Sequence, residues 1–194
     1  MGYERADFTP LRATGYGVGF HWTALTVPEH GEPLPFAEAV ARFDVDRFVA
    51  QVRETGAGHV LFTLAHARHV MPCPNAEMDA ILPGHTCERD LIMDLADGLH
   101  AAGVTLCLYY HHGLSSRPPQ STWGLAAGAA PADPTPFYDH HCRILETLGE
   151  RYGRKVAAWW FDTADALTQL GNPPWERLAQ AAKQHGVEAC DSPA

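Results

Sequence analysis

The chain has 194 residues, of which 46% are hydrophobic and 19% charged, with a formal net charge of −9. This is a globular rather than a disordered composition, and one domain over residues 1–194 is the expectation. The acidic balance, without any Lys/Arg run, argues against a nucleic-acid partner and against an anionic membrane surface, and it suits a neutral ligand.

Met1 to Pro10 has no basic stretch followed by an apolar run, so no secretory leader is expected. No apolar run reaches the ~18 residues that suggest a membrane span. Five cysteines, Cys73, Cys87, Cys107, Cys142 and Cys190, are scattered without a CxxC pair. Reduced thiols in a cytoplasmic protein are the plain expectation.

In chain order, a first strand is expected over Tyr16 to Phe20. Four segments then share one pattern of helix, glycine and β-rich run. Phe48 to Glu54 leads through Gly56 into His59-Val60-Leu61-Phe62-Thr63. Leu91 to Ala102 leads through Gly103 into Val104 to Tyr110. A helix over Phe137 to Arg151 leads through Gly153 into Val156 to Phe161. A last helix after Pro173-Pro174 leads through Gly186 into Val187 to Cys190. Each glycine stands where a helix C-cap requires positive φ. Asp44 and Asp90 stand where N-caps belong. The strands are nearly continuous apolar runs, as in parallel sheets covered by helices on both sides of each strand. The fold class is therefore α/β with parallel β/α repeats: four units and an incipient fifth strand. That is part of a TIM-type barrel, which in complete form takes ~250 residues. Thr23–Pro35, Leu64–Arg89 and His111–Pro134 are expected to be long loops after the strands.

Polar and aromatic residues collect at the C-terminal ends of the strands. They are His21-Trp22, then Thr63 with His66 and His69, then Tyr109-Tyr110-His111-His112, then Asp162. In a parallel sheet all of these reach one rim, the side on which barrel enzymes build their sites. Aromatic faces, neutral imidazoles and a carboxylate suit sugar chemistry, because a carboxylate there can attack an anomeric carbon or stabilise charge on it.

The ordered motifs resemble α-L-fucosidases of glycoside hydrolase family 29. Tyr16-Gly17-Val18-Gly19-Phe20-His21-Trp22 is similar to the family's F-G-x-F-x-H-W start. Phe43 to Phe48 with Glu54-Thr55-Gly56-Ala57 resembles the helix that follows it. Thr63-Leu64-Ala65-His66 is similar to the T-x-K-H around its K-H-H-D-G-F segment. Glu88-Arg89-Asp90-Leu91, Leu108-Tyr109-Tyr110 and Trp160-Phe161-Asp162 match x-R-D-L, L-Y-Y and W-F-D. The resemblance covers residues 15 to 165. It implies retaining hydrolysis of an α-L-fucoside with Asp162 as nucleophile. It further implies His21, Trp22, His66, Tyr110 and Trp160 as sugar contacts, and neither cofactor nor metal. Departures fall in the sugar-gripping loop, where the family's second histidine, aspartate and glycine become Ala67, Arg68 and His69. Thr163 follows Asp162 where the family has Gly or Trp. The family's general acid/base and its β-sandwich lie beyond the fourth unit, and no counterpart to either is expected within these residues.

Other readings stand beside this one. Asp162 can serve as a helix N-cap, and His21 and Trp22 as core plugs. His66, His69, His111 and His112 raise a metal-dependent hydrolase, although no HExxH or Cys/His framework is present. A non-catalytic carbohydrate-binding or assembly module would keep the rim without the machinery. His140-His141 is expected to be a partly exposed pair on its helix. Glu29, Glu32, Glu77, Asp79 and Asp165 are the carboxylates available as a second catalytic group. A sheet with two open edges is expected to form a homo-oligomer or to join a complementing chain.

Overall fold

The computed structural model describes residues 7–24, 26–28, 30–66, 68–112, 133–162, 164, 168, 172–183 and 188–191, the last four as backbone only. Five strands form one all-parallel sheet in chain order. They are β1 (Gly17–Phe20), β2 (His59–Ala65), β3 (Thr105–His111), β4 (Ala158–Asp162) and β5 (Glu188–Asp191). The helices are α1 (Thr9–Ala13), α2 (Phe36–Ala41), α3 (Val45–Thr55), α4 (Ala76–Ile81), α5 (Leu91–Ala101), α6 (Thr135–Tyr152) and α7 (Trp175–Lys183). This is the α/β fold of parallel β/α repeats that the sequence predicts. Three helices were not anticipated: α1 before the first strand, α2, and α4 inside the segment read as one long loop. The signal for α4 is Asn75, whose side chain accepts from the Met78 N–H at 2.8 Å as its N-cap. The Gly186 turn and residues 113–132 of the third loop lie outside the described residues.

The local signals explain where α3 and α5 start and stop. Asp44 caps α3 through the Arg47 N–H at 2.9 Å, and Gly56 closes it at φ 74°, a conformation that costs a side chain energy. Asp90 caps α5 through the Met93 N–H at 3.0 Å, and the same oxygen accepts from the Tyr152 hydroxyl at 3.0 Å. One carboxylate thus starts a helix and fastens the end of α6 to it. The neighbouring Arg89 is structural as well. Its guanidinium donates to the carbonyls of Val40, Ala41 and Phe43 at 2.9, 3.1 and 2.9 Å, closing the C-terminal end of α2. The RDL motif is therefore a clasp between helices.

Strand alternation divides the sheet into two faces. Val60, Phe62 and Leu64, Leu106, Leu108 and Tyr110, and Trp159 and Phe161 enter the main core under the helices. Cys107, Ala158 and Leu61 lie on the inner face, where Leu11 of α1 packs against them. Trp159 is fully buried, whereas Trp160 is 38% exposed, so adjacent tryptophans go to opposite faces as the strand period requires. Helices α6 and α7 approach so closely that a Cβ on Gly149 would sit 2.8 Å from the Ala181 carbonyl oxygen.

One expectation about the histidines needs correction. His141 is fully buried rather than partly exposed, because its position on α6 turns it into the core, where its Nδ1 meets the Tyr110 hydroxyl at 2.7 Å. His69, aligned by motif with a family glycine, has φ 53°. The backbone there adopts the left-handed conformation that favours glycine, although the residue is not glycine.

Cys73, Cys87, Cys107 and Cys142 are buried free thiols, and burial pushes the Cys73 thiol up to about 12. Among the described residues no helix is long and apolar enough to cross a membrane.

Candidate active site

The C-terminal ends of four neighbouring strands bring five polar side chains together. His21 directly follows β1, and His66 directly follows β2. Tyr109 and His111 lie on β3, two residues apart and therefore on one face. Asp162 ends β4, and the register sets His111 beside Asp162 and Tyr109 beside Trp160.

The contacts are continuous. The Tyr109 hydroxyl donates a short hydrogen bond to Oδ2 of Asp162. The Tyr109 ring meets the His21 ring edge-on at 4.6 Å between centroids. It stacks on His66 at 5.7 Å with planes 17° apart. His66 in turn lies 5.5 Å from His21 and 5.2 Å from His111, centroid to centroid. His21 is exposed and Asp162 and His66 are half-buried, so the cluster opens to solvent.

Burial disfavours the charged forms of His111 and His66. Burial pushes His111 down to about 4, His66 pushes the same way, and Asp162 opposes them. His66 is lowered by burial first and by His21 second, again against Asp162. Burial raises the Tyr109 phenol, and the hydrogen bond to Asp162 raises it further. Near neutral pH His66 and His111 are therefore neutral imidazoles, which can donate and accept, beside a carboxylate held by a phenol that stays protonated.

A second layer stands behind the first. His112 Nδ1 lies 3.0 Å from the main-chain carbonyl of Asp162, and since a carbonyl only accepts, Nδ1 carries the proton. His112 is buried among Phe161, His141 and Tyr110. It fixes the end of β4 from the helix side. At the rim of β1, the Thr63 hydroxyl donates to the Phe20 carbonyl at 2.8 Å and ties the first two strand ends together.

Of the six site residues expected from sequence, His21, His66 and Asp162 come together here. Trp160 shares the inner face of β4 with Asp162, one strand period before it. Two others do not join. Trp22 turns into an aromatic cluster with Phe36, Phe43 and Phe62 on the helix side. Tyr110 is fully buried, with its hydroxyl on His141. Tyrosine 109, not 110, reaches the site, because Leu106 and Leu108 fix the even positions of β3 in the core. The same parity brings in His111; Leu106, Cys107 and Leu108 are all apolar, so sequence alone does not reveal it.

Among the second carboxylates considered, Glu77 and Asp79 lie on α4. Glu77 faces Arg143 at 4.0 Å, and Asp79 accepts from the Thr86 hydroxyl at 2.7 Å. Glu32 is exposed, and Glu29 and Asp165 lie outside the described residues. Among the described residues, no group of three or more His, Cys, Asp or Glu is arranged to hold a metal ion.

No family model matches the sequence, and no curated protein matches it. Solved structures do resemble the fold. An endo-fucoidan hydrolase of glycoside hydrolase family 107 superposes with a TM-score of 0.71 at 15% identity, over 96% of this chain and 34% of its own. An α-L-fucosidase of family 29 from Bacteroides thetaiotaomicron superposes at 0.65 and 14%, over 97% of this chain and 49% of its own. An α-L-fucosidase from Lactobacillus casei gives 0.59 and 17%, over 92% and 68%. The chain thus spans about half the length of the Bacteroides enzyme it matches. At these identities the likeness is one of fold: this chain has the parallel β/α architecture of glycoside hydrolases of the fucosidase type.

Proposed function

We propose that this chain carries the nucleophile half of an α-L-fucoside-hydrolysing site, with Asp162 as the attacking carboxylate. The observation that supports this most is the Asp162 carboxylate at the strand-end rim, held by the Tyr109 hydroxyl beside His66 and His111, whose charged forms burial disfavours. Asp162 Oδ attacks the anomeric carbon, the bond to the leaving oxygen breaks, and a glycosyl ester forms. Water, giving a proton to the group that acted as acid, then attacks the anomeric carbon and releases the carboxylate. The leaving oxygen takes a proton from an acid, and the two carboxyl groups of such retaining enzymes stand roughly 5–5.5 Å apart. That acid comes from outside the cluster described, either from elsewhere in the same polypeptide or from a partner.

Each neighbouring side chain has a part in this scheme. Tyr109 orients Asp162 and offsets its charge until attack. His21 and His66 hydrogen-bond sugar hydroxyls. The partly exposed Trp160 offers a flat face to the C–H side of the ring.

A fluoride-leaving probe tests the nucleophile without needing the acid, since fluoride departs with little protonation. The full chain is incubated with 2-fluoro-fucosyl fluoride and digested, and the peptides are weighed. A 2-fluoro-fucosyl adduct on Asp162, absent from Asp162→Ala, is the expected result. No adduct, or an adduct on another residue, overturns the assignment.

A further inference from the structure

Two cysteines meet in the segment that follows His66. The chain turns back along itself there, with Gly84 at φ 80° on the return. Three bonds join the outgoing and returning parts. His85 Nδ1 donates to the Arg68 carbonyl at 3.1 Å, and the Met71 N–H donates to the His85 carbonyl at 2.8 Å. The Cys87 N–H then donates to the Cys73 carbonyl at 3.3 Å. A main-chain bond of this kind holds the two Cα atoms roughly 5–6.5 Å apart, inside the ~4.4–6.8 Å that a disulfide spans. Both side chains enter the main core, Cys73 fully buried and Cys87 nearly so. The other described thiols lie elsewhere. Cys107 is on the inner face of the sheet, against Leu11. Cys142 is roughly 15 Å along α6 from Tyr152, whose hydroxyl meets Cys73.

We propose that Cys73 and Cys87 are a site of oxidative modification, joining as a disulfide that locks the segment between them, α4 included. The inference is independent of the fucoside reading. Both ends of the segment are already in place. Asn75 Nδ2 donates to Thr147 Oγ1 at 2.9 Å and holds the Cys73 end against α6. Thr86 Oγ1 donates to Asp79 at 2.7 Å and holds the Cys87 end against α4. Exchange with a small-molecule disulfide balances the step. Cys87, the less buried of the two, loses its proton and attacks one sulfur of that disulfide, and the other sulfur leaves as a thiol. Cys73 then loses its proton and attacks the Cys87 sulfur, and the second small thiol departs. The protein gives up two protons and two electrons, and the small disulfide takes up both. Burial raises both thiols, so thiolate is scarce in the folded chain and exchange is slow there. The pair therefore closes most readily as the chain folds in oxidising surroundings, and burial then shields it from reductants.

Peptide mapping of the full chain tests this. The chain is held in a mixture of reduced and oxidised glutathione, in native buffer for days and in parallel through a cycle of unfolding and refolding in urea. It is then alkylated, digested with trypsin and weighed. Cleavage after Arg68 and Arg89 gives one peptide, His69 to Arg89, that contains Cys73 and Cys87 and no other cysteine. That peptide is expected two hydrogens lighter than its reduced form and without alkylating agent, while Cys107, Cys142 and Cys190 are alkylated. The cross-link closes a loop of about 15 residues and is expected to favour the folded state by about 100-fold in the unfolding equilibrium. This reads as a higher urea midpoint than the same chain has in a thiol reductant. Cys87→Ser is expected to abolish both the mass difference and the redox dependence of the midpoint. Cys73→Ala is expected to do the same, and the wild-type map stands whether or not either variant folds. Both thiols alkylated in both samples, glutathione left on one of them, or pairing with another cysteine overturns the site. A Cys73–Cys87 disulfide that leaves the midpoint unchanged overturns the lock.

Discussion

The Tyr109 hydroxyl donates to Oδ2 of Asp162, across adjacent strands and from the residue that stacks on His66. In the proposed scheme this bond fixes the attacking oxygen. Tyr109→Phe is expected to slow labelling by the fluoride probe roughly 10- to 100-fold, the worth of a hydrogen bond to a charged group. Labelling as fast as in the wild type would leave Tyr109 a packing role only.

Tyr110→Phe should behave in the opposite way. Its hydroxyl bonds to buried His141, so its loss leaves a buried nitrogen without that partner and costs about 1–3 kcal/mol of stability. Labelling by the probe should not change once the protein is folded. Urea unfolding and labelling rates on the same samples separate the two tyrosines, and a large labelling defect in Tyr110→Phe would contradict this division of roles.

Stability should fall as the pH drops below neutral. Burial holds His69 at about 3 and His111 and His112 at about 4, all below the ordinary value of 6.5. Above 6.5 these histidines are neutral both folded and unfolded, and their contribution is complete. Below it the unfolded chain takes up protons that the folded chain refuses, so stability is lost between 6.5 and about 4. Each histidine adds a slope of about 1.4 kcal/mol per pH unit over that window. Urea midpoints measured from pH 7.5 to 5 should decline, and His112→Gln should flatten the decline. An equal slope in that variant would remove His112 from the account.

Arg89→Leu should cost roughly 1–3 kcal/mol, since three carbonyls at the end of α2 lose their donor together. Binding at the rim should survive at temperatures where the variant is folded. A variant as stable as wild type in urea would show that water replaces the guanidinium without penalty.

β1 and β5 each have one hydrogen-bonded neighbour among the described strands, and β1 carries exposed Gly17 and Gly19. Unpaired edges of this kind template pairing with another chain. Sedimentation at micromolar concentration is expected to show association, and a stable monomer that binds no apolar dye would oppose it.

Residue order alone determined much of this protein. Period, caps and glycines located β2 to β4, α3 and α5, because those signals act within a few residues of backbone. Parallel β/α order in turn sent His21, His66 and Asp162 toward one rim. Short helices such as α1 and α4 were not legible, since they have too few turns to show an apolar stripe. Tertiary structure alone decided which residues face which way. Trp22 went to an aromatic core, Arg89 became a clasp, and His141 was buried, because each partner lies far away in sequence. The contrast is sharpest at Tyr109 and Tyr110. The motif contains both, and one step of the strand separates the side chain that holds Asp162 from the one that packs beneath α6. Pleating reverses direction at every residue, so only the face taken by Leu106 and Leu108 against the helices could assign them.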